Sequence, residues 1–255
     1  MGKKPGQTRK IGVVNHKGGV GKTTTCLNVA AGLRKLRKKV LLIDLDPQAH
    51  LTYSMGIEPD HLQHTVYELL AGNASFHEVV RKKEGLSLLP SNVHLAAAEH
   101  RLQPIAGCEY LLAQRLNQVD AFDFIIIDCP PSLGLLTINA FTFAGELIIP
   151  IQTEFFALQG VRKLLATIKQ IKDKMNEHLR ICGVLATRYN RRIRLNREVM
   201  DSMKDFFGAL VFSTPVRENI SLAEAPSFHK SIFAYKPSSH GAQDYLQVCR
   251  EIVKR

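Results

Sequence analysis

A glycine-rich run that could hold a phosphate occupies residues 15–24, with the sequence Asn-His-Lys-Gly-Gly-Val-Gly-Lys-Thr-Thr. Backbone N–H groups of such a turn can surround a phosphate, and a helix that begins there adds the positive end of its dipole. Lys22 supplies a cation for the β- and γ-phosphates, and the Thr23 hydroxyl can ligate Mg²⁺. The general P-loop pattern has glycine at position 16, where this chain has His16. A second lysine, Lys17, precedes the double glycine.

Two acidic sites follow the glycine-rich run along the chain. Asp44 and Asp46 lie at the end of one apolar run, and Asp128 ends another, Phe124–Asp128, which has the pattern of a Walker B strand. Such a strand delivers one carboxylate beside the Mg²⁺ shell. Because Asp44 and Asp46 are two residues apart, their side chains can point to the same side. One can contact the waters of the metal while the other orients an attacking water.

These side chains need a scaffold in which strands alternate with helices. Seven runs are predicted strands: Ile11–Asn15, Val40–Asp44, Leu86–Leu89, Phe124–Asp128, Glu146–Ile151, Ile181–Thr187 and Leu210–Phe212. Several are continuous apolar runs, which is typical of strands covered by helices on both faces. The sequence therefore predicts an α/β fold with a doubly wound, mostly parallel sheet, whose ligand lies at the carboxyl ends of strands.

The helix patterns agree with this fold. Three longer stretches are predicted helices: Thr23–Leu36, Leu158–Met175 and Gln243–Lys254. Two capping-box sequences, Thr65–Glu68 and Ser75–Glu78, should each open a short helix. No long linker or repeat interrupts the pattern, so we expect a basic N-terminal tail over residues 1–10 and a single domain over residues 11–255.

The composition is that of a globular protein, with 45% hydrophobic and 22% charged residues among 255. A formal net charge of +11 favours acidic partners, either nucleic acid or an anionic membrane surface. No run approaches 18 apolar residues, and the basic N-terminus lacks the apolar core of a secretory signal. Together with five cysteines that lack metal or redox spacing, these features predict a cytoplasmic protein with reduced thiols and no membrane span.

Four motifs in chain order, KGGVGKTT, DLDPQ, IIIDCPPS and EAPS, resemble those of the ParA/Soj branch of deviant Walker A ATPases. The resemblance runs from about Ile11 to the C-terminus and corresponds to the short form of the family, without an N-terminal helix-turn-helix extension. It implies a P-loop NTPase fold, an ATPase activity, and ATP and Mg²⁺ as cofactors.

The resemblance also implies a role for each site residue. Lys17 would reach across a dimer interface to the partner's nucleotide, and Asp46 would be the residue most tied to hydrolysis, with Asp44 as the third catalytic residue. The expected ATP-binding residues are Lys17, Gly18, Gly19, Val20, Gly21, Lys22, Thr23, Thr24, Arg217 and Asn219. The expected metal-supporting residues are Thr23, Asp44 and Asp128. Arg217 stands where relatives commonly have a proline beside the adenine, and Glu154 matches a family segment near the nucleotide.

An arginine-rich stretch is the candidate DNA surface. Arg188, Arg191, Arg192 and Arg194, followed by Arg197, place five guanidiniums within ten residues, which can neutralise phosphates without reading sequence. Arg192 falls where the Soj family carries a DNA-contacting arginine, whereas Ser221 occupies a second position that is basic in the family.

Three functions compete for this sequence. The first is a nucleoid-associated DNA-partitioning ATPase. Its ATP-bound homodimer would bind double-stranded DNA non-specifically, and a ParB/Spo0J-like partner would release the dimer by stimulating hydrolysis. The second is a MinD-like membrane-positioning ATPase, which needs the last helix to lie on lipid. The third resembles the nitrogenase iron protein and needs paired cysteines, for which Cys108 and Cys129 show no supporting spacing. The first is favoured, with no membrane partner expected, and the cargo stays open between chromosome, plasmid and protein assembly.

Overall fold

In a computed structural model, the described residues are 8–155, 157, 158 and 160–255, with backbone alone for residues 98 and 99. Residues 1–7 of the predicted tail lie outside them. The described chain forms seven strands: β1 Arg9–Val13, β2 Val40–Asp44, β3 Arg81–Lys83, β4 Leu86–Leu89, β5 Phe124–Asp128, β6 Glu146–Gln152 and β7 Arg180–Thr187. They make one sheet in the order β3-β4-β2-β5-β1-β6-β7, parallel throughout except for the antiparallel pair of β3 and β4.

Helices connect the parallel strands. Their bounds are α1 Lys22–Lys35, α2 His50–Ser54, α3 Val66–Ala71, α4 Phe76–Val79, α5 Leu95–Leu102, α6 Leu111–Arg115, α7 Leu135–Phe143, α8 Val161–Lys174, α9 Arg194–Phe207, α10 Ile220–Glu224, α11 Ile232–Tyr235 and α12 His240–Lys254. The capping boxes at Thr65 and Ser75 open α3 and α4 as predicted. Short 3₁₀ turns lie at Pro59–His61, Cys108–Tyr110, Gly208–Leu210 and Ala225–Phe228.

The sheet is buried on both faces, as the continuous apolar strands predict. In β2, Leu41 and Ile43 join one hydrophobic core, while Leu42 and Val40 join a second core on the opposite face. Successive side chains of a strand point to opposite faces of the sheet. Because a hydrophobic core covers each face, no polar residue interrupts the apolar run of β2. The doubly wound, mostly parallel α/β fold is confirmed.

The strands differ from prediction by one or two residues at several ends, and three differences have a visible cause. β1 begins at Arg9 rather than Ile11 because the Arg9 guanidinium is buried against the carboxylate of Glu146, and such ion pairs are not visible in a hydrophobic pattern. β3 is absent from the predicted strands, since it is a short, polar strand at the sheet edge. The predicted strand Leu210–Phe212 is wrong, because only Val211 forms a bridge, with Val184.

The residues after Phe212 show the physical reason. The backbone N–H groups of Ser213 and Thr214 donate to the Glu251 carboxylate of α12, at 2.8 and 3.0 Å, instead of to a neighbouring strand. Pro215 follows and has no N–H to donate. A side-chain carboxylate has therefore taken the place of strand pairing.

Helix α12 packs on α1 through its apolar face. Tyr245, Val248, Cys249 and Ile252 are all buried, and the Tyr245 hydroxyl lies 3.1 Å from Thr25 Oγ1. This is the face that a membrane-positioning function would need to expose. Among the described residues, no helix has the length and apolar character that crossing a bilayer would require.

Candidate nucleotide site

The glycine-rich run forms an open loop between β1 and α1. Gly19 and Gly21 have positive φ angles of 76° and 90°, which side chains with a Cβ rarely adopt. A Cβ placed on Gly18 or Gly19 would meet nothing within 4 Å, so the loop borders open space rather than packed protein. Among the described residues, no side chain caps the first turn of α1, which begins at Lys22, so its N-terminal N–H groups are available to an anion.

Lys22 curls back over this loop. It is only 8% exposed, and its Nζ lies 3.4 Å from the carbonyl oxygen of Lys17. No carboxylate of the described residues is in hydrogen-bonding contact with this ammonium. A buried ammonium requires a compensating negative charge, and a phosphate in the loop would supply one. The geometry fits the role predicted for Lys22.

Two buried side chains fix the loop to the sheet. Asn15 accepts a hydrogen bond from the Lys17 N–H at 3.0 Å and donates to the Pro150 carbonyl at 2.8 Å. On the other side, the Thr187 hydroxyl at the end of β7 donates to the Val20 carbonyl at 2.9 Å. Thr187 is missing from the predicted site residues, since its partner is 167 residues away in sequence.

The three predicted aspartates come together at the same sheet edge. Asp44 and Asp128 are register partners in the β2–β5 pair, and Val13 pairs with Asp128 where β1 runs into the loop. Parallel strands bring their carboxyl ends to one edge, so residues more than 80 positions apart in sequence become neighbours.

Asp128 is the carboxylate available to a metal. It is 1% exposed, and neither of its oxygens has a hydrogen-bond partner among the described residues. Burial, aided by the charge of Asp44, raises the pKa of Asp128, while the Thr23 hydroxyl and Lys22 act in the opposite direction. An unpartnered buried carboxylate is costly, so these oxygens fit a cation-binding role.

Asp44 and Asp46 differ in what they are free to do. Asp44 accepts hydrogen bonds from Thr52 N, Thr52 Oγ1 and Asp46 N, and burial raises its pKa while these bonds oppose the rise. Its oxygens are therefore held by the protein, and Asp44 is suited to orienting neighbours. Asp46 uses Oδ1 to accept from the Gln48 N–H at 3.0 Å, and no hydrogen bond of its Oδ2 is seen within the described part of the chain.

The residues present fit Mg²⁺ when it arrives with a nucleotide. The described residues contain no group of three or more His, Cys, Asp or Glu side chains that could hold a metal by themselves. Mg²⁺ rarely needs such a cage, because it binds through one or two carboxylates, waters and substrate phosphates. Asp128 and the Thr23 hydroxyl would supply the protein's share, beside the loop that would hold the phosphates.

A cleft of about 480 Å³ continues from the loop toward α12. Its wall includes Arg188, Val216, Arg217, Asn219 and Tyr245, which come from three separate parts of the chain. The Asn219 side chain caps α10 by accepting from the Ser221 N–H at 2.9 Å, which leaves its amide N–H₂ as a donor. The cleft places both predicted base-binding residues, Arg217 and Asn219, beside the phosphate loop.

Lys17 lies on the rim of the site and is paired within its own chain. Its Nζ is 2.8 Å from Glu154 Oε2, with 43% and 49% of the two side chains exposed. The Lys17 ammonium is thus on the surface, where a second copy of the chain could reach it.

Comparison with known proteins identifies the family of this chain. Residues 8–181 match the family model described as an AAA domain. The chain is 41% identical over 245 residues to the sporulation initiation inhibitor protein Soj of Bacillus subtilis (strain 168), which covers 95% of this chain and 97% of that protein. It is 37% identical over 252 residues to the chromosome partitioning protein ParA of Caulobacter vibrioides (strain NA1000 / CB15N), covering 97% and 94%. The chain belongs to the ParA/Soj family of ATPases.

Two solved structures that contain a nucleotide and magnesium have the same fold. The ATP-analogue and magnesium complex of cobyrinic acid a,c-diamide synthase from Mycobacterium smegmatis has a TM-score of 0.86 at 37% identity, covering 97% of this chain and 95% of that one. The Mg-ADP complex of the septum site-determining protein MinD from Pyrococcus horikoshii OT3 has a TM-score of 0.79 at 26% identity, covering 97% and 96%. This ParA/Soj-type protein is a partitioning ATPase that uses ATP and Mg²⁺.

The arginine-rich stretch of this ATPase divides into two parts. Arg188, with a positive φ of 51°, lies on the wall of the nucleotide cleft rather than with the others. Arg194 is paired with Glu198 at 2.7 Å. Within the described part of the chain Arg197 has no ion pair, but its Nη1 donates to the Arg191 carbonyl at 3.1 Å. The guanidiniums of the exposed Arg191 and Arg192 make neither an ion pair nor a hydrogen bond among the described residues. Ser221 is buried, and it therefore adds nothing to this surface.

Proposed function

We propose that this ATPase moves or positions DNA through a nucleotide-dependent dimer. Two ATP-bound chains close face to face with the nucleotides between them, and the closed dimer binds duplex DNA without sequence preference. Hydrolysis opens the dimer and releases the DNA, and a ParB-like partner accelerates that step. The observation that carries the proposal is the pair of exposed cations Arg191 and Arg192 immediately beyond the nucleotide cleft, whose guanidiniums have no partner in the described part of the chain.

Continuous backbone contacts support a link between this pair and the nucleotide. Thr187 bonds the phosphate loop, and two residues later Tyr189 pairs with the base-binding segment: its N–H donates to the Val216 carbonyl and its carbonyl accepts from the Glu218 N–H. Arg191 follows two residues further on. A shift of either wall of the cleft is therefore transmitted to the arginines over a few residues of backbone.

The position of Lys17 supports closure by a second chain. To reach a partner's nucleotide, Lys17 must exchange Glu154 for a phosphate. An exposed ion pair contributes about 0–1 kcal/mol, whereas a triphosphate offers several charges in a partly desolvated interface. Exchanging Glu154 for a phosphate therefore lowers the free energy when ATP is bound to the partner chain. Without that ATP, Lys17 stays paired with Glu154.

DNA binding is tested by its dependence on salt. If the dimer makes about four phosphate contacts through Arg191 and Arg192, log affinity falls with log salt at a slope of about −3.6, or on the order of 10²-fold for a fourfold rise in salt. Arg192→Ala removes one contact per chain and flattens the slope by about two, on any duplex sequence. A gel-shift titration with ATP and Mg²⁺ at two salt concentrations measures both effects.

The matched control is Lys82→Ala, which removes an exposed cation from β3, at the opposite edge of the sheet from β7. We expect its slope to equal that of the unmodified chain, and ATP hydrolysis without DNA to be unchanged in both variants. Equal losses for Arg192→Ala and Lys82→Ala would mean that net charge, not this surface, binds DNA. If the chain fails to bind duplex DNA at low salt but sediments with anionic liposomes, the surface that it binds is a membrane and not DNA.

A further inference from the structure

A buried carboxylate holds Arg217 on the wall of the nucleotide cleft. The Asp244 side chain, 5% exposed, accepts from Arg217 Nε at 2.9 and 3.1 Å, from Nη2 at 2.5 Å, and from the Arg217 backbone N–H at 3.0 Å. One carboxylate thus fixes both the backbone and the guanidinium plane of one residue. Bidentate pairs of this kind specify orientation as well as supplying energy.

The anchor is itself tied to the phosphate loop. Asp244 lies in α12, and its neighbour Tyr245 lines the cleft and lies 3.1 Å from Thr25 in α1. Helix α1 begins at Lys22, directly after the phosphate-binding turn. The distance between the guanidinium of Arg217 and the phosphates is therefore set by packed helices rather than by a loop.

Part of the Arg217 guanidinium remains unused by this pair. Its side chain is 42% exposed, and Nη1 has no hydrogen bond among the described residues. A fixed planar cation with two free N–H donors can stack on an aromatic ring and donate to a ring nitrogen. Purines offer both a two-ring face and the N7 acceptor, whereas pyrimidines offer a smaller ring without N7.

We propose that Arg217, held in place by Asp244, selects purine over pyrimidine nucleoside triphosphates at this cleft. Asp244 is the positioning residue and Arg217 contacts the base. The inference concerns the nucleotide and is independent of DNA binding. The competing role for the pair is purely structural, as a tie between the segment after β7 and α12.

Nucleotide affinities measured with Mg²⁺ by calorimetry separate the two roles. For Arg217→Ala, we expect ATP and GTP affinity to fall about tenfold, the size of a desolvated cation–π contact with a hydrogen bond. Affinity for CTP and for inorganic tripolyphosphate should stay within about twofold, because neither presents the purine. Selectivity for ATP over CTP then falls about tenfold.

The isosteric variant Asp244→Asn tests the positioning role. It releases the guanidinium without removing it, so ATP affinity should fall by a smaller factor, about threefold, with CTP again unaffected. Because both residues act through one contact, Arg217→Ala/Asp244→Asn should bind ATP no worse than Arg217→Ala alone. If both single variants have a lower Tm but unchanged ATP-to-CTP selectivity, the proposal is wrong and the Arg217–Asp244 pair has a purely structural role. Equal losses for ATP, CTP and tripolyphosphate would overturn it as well.

Discussion

The two ends of the nucleotide site are built in different ways. At the phosphate end, ten consecutive residues present backbone N–H groups and a buried lysine, backed by aspartates at strand ends. At the base end, the wall is assembled from segments around residues 188, 217 and 245, joined by an ion pair and by single backbone bonds. A site made of contiguous backbone tolerates little change, whereas one made of separate side chains can be altered in steps. Substitutions at the phosphate end should therefore abolish function, and those at the base end should tune it.

The largest expected effect is that of Lys22→Ala. The buried ammonium is the only cation of the described loop that points back over it, and without it the β- and γ-phosphates lose a fixed positive charge. ATP binding should fall below detection in calorimetry, at least about 100-fold. Lys35→Ala, which removes an exposed lysine from the other end of α1, is the control and should bind normally. Near-normal ATP affinity in Lys22→Ala would show that the glycine-rich loop is not the phosphate-binding end of the site.

The next prediction distinguishes Asp46 from Lys17 by the turnover and the oligomeric state of their variants. Asp46→Ala should bind ATP but lose the group that orients water, so turnover falls on the order of 10²-fold and the ATP dimer persists. Lys17→Ala should bind ATP and remain monomeric if, as proposed, the Lys17 charge acts across the dimer interface. Size-exclusion chromatography with ATP and Mg²⁺ distinguishes them. If both variants elute as monomers, the assigned roles are wrong.

The smallest expected effect concerns the hydrogen bond from the Thr187 hydroxyl to the Val20 carbonyl, which joins the phosphate end of the site to the base end. Thr187→Val removes the hydroxyl that donates to Val20 while conserving shape. A single hydrogen bond contributes about 0.5–1.5 kcal/mol, so ATP affinity should fall about two- to tenfold. Thr187→Ser should restore it, since the hydroxyl returns. A loss as large as that of Lys22→Ala would show that the ends are not separable, and no loss would show that the bond does not contribute to nucleotide binding.

The same division explains what could be predicted from sequence. The phosphate loop is contiguous and its aspartates end apolar runs, so residue types and spacing are sufficient to locate them. Thr187 and Asp244 show no such pattern, because their roles depend on partners 167 and 27 residues away. Leu210–Phe212 has the apolar character of a strand, yet a carboxylate of α12 binds the backbone donors that follow it. Arg188 belongs to the arginine-rich stretch by sequence and to the cleft by structure.

Strand β3 has a consequence for how copies of this chain can associate. It ends the sheet on the side away from β7, is three residues long, and consists of Arg81, Lys82 and Lys83. An open sheet edge invites another strand and, with it, aggregation, and short edge strands that carry cations discourage this by charge repulsion between like edges. Self-association by extending the sheet is thus penalised at that edge. In the proposed cycle of dimerisation and separation, this edge disfavours association by sheet extension, which would compete with closure over the nucleotide.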